Sequence, residues 1–470
     1  MAKRGKAKKR IGRRGRTSKA SVPTSKGPGK LLAIVAVVFT VVVVGFAIVA
    51  FIKDTGQTAA PAPQLTPEQT VAALRDEELR LARRLISEFP KSEQPLVLMG
   101  DMLSRHGDTT EATRLWEEAL ARNPNRADVY DKLATLAFET DEFEKAISLW
   151  RKGLEIDPNI PGVHNRIARS LTRLARYEEA IAEAEAELEI SPNSALSYFL
   201  LGRAHQQLQE HDKAKQEYKK VIELEPNYTR AYYGLFNVCN RLKQREEARQ
   251  YLEKFKQLDE RDQALAKRQD ETMTDLNATS LSLARLCAGA HELYGQTKNV
   301  QRMEELLQRA LALQPDSILY LEKLVSLYGL TNQLPEALSV CERIKEIDPN
   351  NTACYLNIGK FSMSLKRFDE AERAFQKAII CAPRHYTGYQ ELARLYLRTG
   401  TKLPKAKALA EKAVELDPSA ANYFILGWAN DVNGNPRDAL IALEHAMRLD
   451  PTNENYTKAH LNIWKREAAE

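Results

Sequence analysis

Arg169, Arg203 and Asn237 recur at intervals of 34 residues. The two arginines carry the planar fork of donors that matches a carboxylate through two parallel hydrogen bonds. Asn165, Arg166, Arg173, Arg230, Tyr233 and Arg241 flank them, and Arg166, Arg169 and Arg173 share one helical face by their i, i+3, i+7 spacing. Such a strip suits recognition of an anionic protein segment, either an acidic peptide or a chain terminus. A second, thinner row consists of Lys360 and Arg394, with Asn357 and Arg398 beside it. Catalytic patterns are missing from the sequence: it has no Gly-rich phosphate loop with Lys-Ser/Thr, no HExxH, no paired CxxC and no GxSxG. The eight histidines are scattered, and acidic pairs such as Glu178-Glu179 and Glu246-Glu247 fall at solvated helix starts. The expectation is a binding protein with no enzymatic activity, no cofactor and no metal site.

The elements that must position these side chains are announced by proline. Pro90, Pro124, Pro158, Pro192 and Pro226 stand 34 residues apart, and the beat resumes at Pro315, Pro349 and Pro383 before loosening to Pro418 and Pro451. A small residue usually precedes each Pro by five positions and a bulky apolar one by eight, as in Trp116…Ala119…Pro124 and Tyr218…Val221…Pro226. Ala112, Ala146, Ala180 and Ala214 fall twelve positions before it, where only a methyl group lets two helices approach closely. A period of this size marks a solenoid of helical hairpins, and residues 34 apart then occupy equivalent places on successive hairpins.

The pattern resembles the tetratricopeptide repeat family, which places an aromatic or Leu at position 4, Leu-Gly or Leu-Ala at 7 and 8, and Tyr at 11. The unit from Ala127 to Ile160 shows it in Tyr130, Leu133, Ala134, Ala146, Trp150, Gly153 and Pro158, with Ala137 where the Tyr would be. Thr352 to His385 repeats it in Tyr355, Ile358, Gly359, Ala371, Phe375, Ala378 and Pro383. The resemblance implies an all-α, TPR-type α-solenoid of about ten helical hairpins whose first helices line a concave, ligand-binding face. Some members of the family grip a C-terminal carboxylate with a Lys/Asn/Arg clamp. The corresponding positions here read Asn165, Arg169, Leu200, Arg230 and Gly234. Only Asn165 and Arg230 approach the clamp, so a chaperone-tail ligand is not carried over.

Charge is distributed unevenly. Residues 1–30 hold 12 Lys or Arg and no acid, leaving 57 basic against 63 acidic residues in the rest of the chain. Residues 31–52 then run 22 positions without a charge, which at 1.5 Å per residue gives roughly 33 Å, enough for a bilayer core of about 30 Å. A signal peptide cleaved near the Ala-rich stretch at 58–62 is the competing reading, but its apolar region would be only ~7–15 residues. The span is therefore read as one transmembrane helix. By the positive-inside rule the tail is cytoplasmic and the repeats are periplasmic or otherwise extracytoplasmic. A polybasic segment beside an anchor also favours anionic lipid. Nucleic acid is the weaker partner, because the tail has no aromatic residue on which bases could stack.

The chain divides into a disordered basic cytoplasmic tail (1–30), the transmembrane helix (31–52), a linker (53–67), a half-repeat with units one to five (68–260), a helical insertion (261–283), units six to ten (284–453) and a C-terminal capping helix (454–470). The insertion is inferred from the interval between Pro226 and Pro315, which is 89 residues where two periods require 68. Asn277 offers a cap for the helix that follows. The half-repeat is expected to shield the first complete unit. Of the five cysteines, Cys239, Cys287 and Cys341 take apolar repeat positions, while Cys354 and Cys381 stand at helix ends that an antiparallel hairpin brings together, where a disulfide can form. The layout resembles membrane-anchored repeat scaffolds that bind proteins or peptides and assist envelope assembly, secretion or complex formation. The alternatives are a noncatalytic regulatory subunit of an envelope enzyme, a glycosyltransferase or protease, and more weakly a ribosome or nucleic-acid tether.

Overall fold

A computed structural model of the chain describes residues 66–272 and 274–468. They form 22 helices and, among the described residues, no strand. The basic tail, the apolar span at 31–52 and nearly all of the linker lie outside the described residues. No described helix is long and apolar enough to cross a membrane.

Helix α1 (Pro67–Glu88) has no hairpin partner adjacent in sequence and is followed by five hairpins. These are α2 (Gln94–Arg105) with α3 (Thr109–Arg122), α4 (Ala127–Glu139) with α5 (Phe143–Ile156), α6 (Val163–Arg173) with α7 (Tyr177–Ile190), α8 (Ala195–Gln207) with α9 (His211–Leu224), and α10 (Thr229–Arg241) with α11 (Arg245–Thr272). Five more follow: α12 (Asp275–Gln296) with α13 (Val300–Leu313), α14 (Ile318–Leu330) with α15 (Leu334–Ile347), α16 (Thr352–Ser364) with α17 (Phe368–Cys381), α18 (Tyr386–Thr399) with α19 (Leu403–Leu416), and α20 (Ala420–Val432) with α21 (Pro436–Leu449). Helix α22 (Glu454–Glu467) packs on α21 and closes the second run.

Local chemistry explains the hairpins. Side chains at Asp108, Ser194 and Asn351 accept from backbone N–H groups of the first turn they precede, and Thr66 with Gln69 forms a reciprocal cap at α1. The turn inside most hairpins passes through one left-handed residue, for example Asp141 (φ 61°), Ala175 (58°), Gln209 (63°) and Lys243 (61°). The next residue donates back into the helix just ended, as Glu142 does to the Ala137 carbonyl at 2.8 Å and Arg176 to Leu171 at 2.9 Å. Residue type at this turn varies freely, so the sequence conceals a conformation that the fold repeats. A second recurring device is a latch: Tyr198, Tyr232, Tyr355 and Tyr389 each donate their hydroxyl to the carbonyl of the Pro six residues earlier, at 2.9–3.3 Å.

Stacking of one hairpin on the next uses the bulky residue eight positions before the Pro. Tyr218 is 1% exposed because it lies between Gly202 of α8 and Gly234 of α10. A Cβ at Gly202 would stand 2.7 Å from the Tyr218 ring, and one at Gly234 would stand 2.6 Å from it. Only glycine permits this approach on both sides. Ala112, Ala146, Ala180 and Ala214 are all buried, which is the close helix contact their spacing implies.

The two runs meet where the sequence does not announce it. Helix α1 packs mainly on α12, which also takes α2 and its own partner α13. Leu74, Leu81, Ala82 and Leu85 of α1 therefore share one core with Leu283, Leu286, Cys287 and Leu293. Polar contacts fix the register. Arg309 donates twice to Glu77, at 2.8 and 2.6 Å. Glu78, 0% exposed, accepts from Ser282 Oγ and lies 2.6 Å from His106 Nε2, while Arg105 Nε donates to Ser282 Oγ at 2.9 Å. The half-repeat thus does more than shield the first unit: α12 completes it. The segment 261–283 is not one inserted element either. Its first part prolongs α11 to Thr272, and the rest supplies the opening turns of α12, which Thr274 caps by accepting from the Asn277 N–H. The extra turns bury Thr279, Ser280 and Ser282, and Ser282 is the residue that bonds α1 and α2.

Candidate functional site

The first helices α6, α8 and α10 carry the Arg and Asn row, and the structure separates its members by what already holds them. Asn165 is 3% exposed, accepting from Ser197 Oγ at 3.0 Å and donating to Ser194 Oγ at 3.4 Å, so it joins two hairpins instead of facing a ligand. Arg166 is bonded to Asp131. Arg169 is exposed over the Phe138 ring, 5.0 Å from its centroid, and Arg173 sits over Phe143 at 5.6 Å. Arg203, Arg230 and Arg241 are exposed, and none has a hydrogen bond or ion pair among the described residues.

Arg203, Arg230, Tyr233 and Asn237 converge on a pocket of about 430 Å³, completed by Phe199, Gln206, Gln207, Tyr218, Gly234 and Phe255. Its floor is aromatic. Tyr233 is 48% exposed and its ring lies 5.1 Å from that of Phe255 on α11. Phe199 packs against Tyr218 and Tyr228 at 5.8 and 5.2 Å. Burial raises the Tyr228 hydroxyl above its ordinary value, and the guanidinium groups of Arg230, Arg169 and Arg203 all act on it in the opposite sense. Those three cations therefore share one neighbourhood. The same burial raises Tyr218, with Arg203 opposing, while the Tyr218 hydroxyl donates to Gln206 Oε1 at 2.9 Å. An aromatic floor with unpaired guanidinium groups at its rim can take an anionic group and an apolar side chain together.

The second row is differently placed. Lys360 and Arg394 lie 3.9 and 3.6 Å from the carboxylate of Glu391, which is itself 5% exposed. Their charge is largely answered within the fold. Cys354 and Cys381 are both free and do not face each other. Cys354, 1% exposed, donates its thiol to the Cys341 carbonyl at 3.1 Å, and Cys381 Sγ lies 4.0 Å from Asn350 Oδ1. The first turn of α16 brings the Cys354 thiol against α15. Among the described residues no group of three or more His, Cys, Asp or Glu is arranged to hold a metal ion.

Sequence reasoning passed over Phe199 and Phe255 as parts of the site. A signal existed for Phe255, which occupies the position five before the expected Pro where neighbouring units carry Ala119, Gly153 and Val221.

A tetratricopeptide repeat family model matches residues 195–228 and 352–379, and a second model of the same description matches 97–161 and 132–195. The Hsp70-Hsp90 organizing protein of Triticum aestivum is 38% identical over 112 residues, which is 24% of this chain. The chain spans only 19% of the length of that curated relative. Among solved structures, the crystal structure of MamA is 24% identical with a TM-score of 0.34, covering 35% of this chain and 96% of that one. The crystal structure of the yeast Tom70 is 14% identical with a TM-score of 0.36, covering 80% and 96%. The first TPR of Spaghetti (RPAP3) bound to the HSP90 peptide SRMEEVD is 26% identical with a TM-score of 0.25, covering 25% and 94%. With its ten hairpins, its repeated proline stops and these family matches, the chain belongs to the tetratricopeptide repeat family.

Proposed function

We propose that this chain is a noncatalytic, membrane-anchored adaptor whose α6–α8–α10 groove grips an acidic segment of a partner protein, in the service of envelope assembly, secretion or complex formation. The observation that supports it is the pair of exposed cations Arg203 and Arg230 lining an aromatic pocket, with exposed Arg169 on the neighbouring hairpin, and no carboxylate among the described residues paired to any of them. An anionic partner would gain those contacts without first breaking others. The family match supports protein binding in general, as does the name of the wheat relative. Terminal-peptide capture of the kind in the RPAP3 structure is not adopted, because Leu200 and Gly234 stand where a carboxylate clamp needs polar side chains. The membrane attachment rests on the apolar run at 31–52, and the orientation rests on the basic tail before it.

The test is affinity capture from membranes in mild detergent, comparing the full chain with a double variant, Arg169→Glu with Arg203→Glu. Exposed ion pairs contribute about 0.2–1 kcal/mol each, so losing two of them should weaken capture by about 2- to 30-fold, and the reversed charges add repulsion. Salt should weaken it as well. Both residues are exposed, so helicity should not change. Undiminished capture at physiological salt would rule out the groove. Protease added to spheroplasts should digest the repeats and spare the tail; the reverse result would overturn the orientation.

A further inference from the structure

Every hairpin but one is covered by the helix that follows it. The residue five before the closing Pro is buried in the other units, as at Ala119, Val221, Ala310 and Ala446, each 0% exposed. The bulky residue eight before it is buried likewise, with Trp150, Tyr218 and Phe375 at 2%, 1% and 0%. In the fifth hairpin the equivalents are Phe255 and Leu252, and both are only half-buried. The cause lies in the chain path. Helix α12, next in sequence, packs on α1, α2 and α13, so α11 lacks the neighbour that each other second helix has.

We infer that this open face of α11 is a seat for one helix of a partner protein, amphipathic and acidic on its polar side, which occupies the place of the missing first helix. The inference rests on the adaptor reading above and names what that partner presents. The first helices that fill the equivalent place elsewhere are mostly 13 residues long, as α8 and α10 are. The seat is somewhat longer. Leu252 and Phe255 form its start, Leu258 beneath them is already buried by the fold, and Leu265, 50% exposed, continues the stripe into the prolonged part of α11, a run of about 20 Å at 1.5 Å per residue. Large residues at both Leu252 and Phe255 call for a small residue on the incoming helix, as Gly234 provides for Tyr218.

Charge selects the occupant. Arg203 and Arg230 open into the pocket that Phe255 completes, and both are unpaired. Arg249 and Lys256 flank Leu252 at i−3 and i+4, are exposed, and have no ion pair among the described residues. Of the nearby carboxylates, Asp259 accepts from Gln263 and Asp262 accepts from Thr229 and Arg261, while exposed Glu253 stands between Arg249 and Lys256, so Arg203 and Arg230 carry most of the selection for an acidic face.

The probe is a pair of stapled helices of about 14 residues, sharing one Leu/Ala face with a central Gly, one bearing Glu and the other Lys on the polar face. Binding to the full chain in mild detergent is read by fluorescence anisotropy. The Glu helix should bind, the Lys helix should bind at least about tenfold more weakly, and Phe255→Asp should weaken the Glu helix by a similar factor. Leu265→Asp is the second variant: its site is half exposed, so it leaves the hairpin folded, and it should also weaken binding. Failure of the Glu helix to bind, equal binding of both, or unchanged binding by both variants overturns the seat. So does self-association that Phe255→Asp abolishes, because a second copy would then be the occupant. If partner capture falls with the Arg169 and Arg203 reversals but not with Leu265→Asp, which lies outside the pocket, the groove stands and the seat does not; the opposite pattern removes the groove alone.

Discussion

Replacing Leu85 by Ala tests the junction at which the two runs of hairpins share α12. Leu85 is 0% exposed, within the core that joins α1 to α12. The change removes about three methylene equivalents, or roughly 2.4 kcal/mol at ~0.8 kcal/mol each. A residual cavity of some ~40 Å³ adds about 1 kcal/mol at ~24 cal/mol per Å³, so the local loss is about 3 kcal/mol. Stability in repeat arrays is a sum of nearest-neighbour terms, so a defect is felt by the helices that touch it and fades beyond them. The neighbours of α1 belong to both runs. Hydrogen–deuterium exchange of the full chain should therefore accelerate in α1, α2, α12 and α13 together, although α2 and α12 are far apart in sequence. Leu443→Ala, at a site 1% exposed in α21, is the control and should loosen only α20 to α22. If Leu85→Ala accelerates exchange in α1 and α2 while α12 and α13 keep their protection, α12 is not the shared element and the account of the junction is wrong.

Three further outcomes are expected. Ala175 is held at φ 58° in the turn between α6 and α7, a conformation that costs a non-glycine residue roughly 1 kcal/mol, so Ala175→Gly should raise the urea midpoint of its region; a lower midpoint would reject strain at that turn. Burial holds the His291 imidazole below its ordinary value of 6.5, against the bond from its Nδ1 to the Met303 carbonyl. The folded state then favours the neutral ring, so this stabilisation is whole above that value and is lost as pH falls through it toward the folded pKa. His291→Asn should accordingly flatten the fall in urea midpoint between about pH 7.5 and 5.5, and an unchanged slope would show that His291 takes no part. Burial pushes the Cys287 thiol up to about 12 and raises Cys239 as well, whereas Cys381 is only half-buried. Iodoacetamide on the native chain should label Cys381 ahead of the other four, as read by peptide mass spectrometry, and early labelling of Cys354 would contradict its contact with Cys341.

Much of the fold was legible because it is local. A proline stop, a small residue five positions before it and an Ala twelve before it are conditions on one helix and its hairpin partner, and each recurs within a single period. The alignment of Arg169, Arg203 and Asn237 on successive first helices was legible for the same reason, since residues one period apart take equivalent places. The junction was not. The apolar stripe of Leu74, Leu81 and Leu85 states that α1 must be covered, but burial is non-directional and the stripe does not say by what. Its partner, Leu283 to Leu293, lies about two hundred residues away, and only the return path of the prolonged α11 brings it there.

Availability at the site was hidden for a related reason. The sequence gives Arg166, Arg203, Lys360 and Arg394 the same chemical character, yet Asp131 holds the first and Glu391 approaches the last two, while Arg203 remains open. Whether a cation is free depends on a carboxylate within about 4 Å, which is a property of packing and not of residue type. The sequence by itself determined the repeat, the hairpins and the positions that must line a groove. The tertiary structure decided which of those cations are already paired, and it left α11 uncovered by sending the next helix to α1 instead.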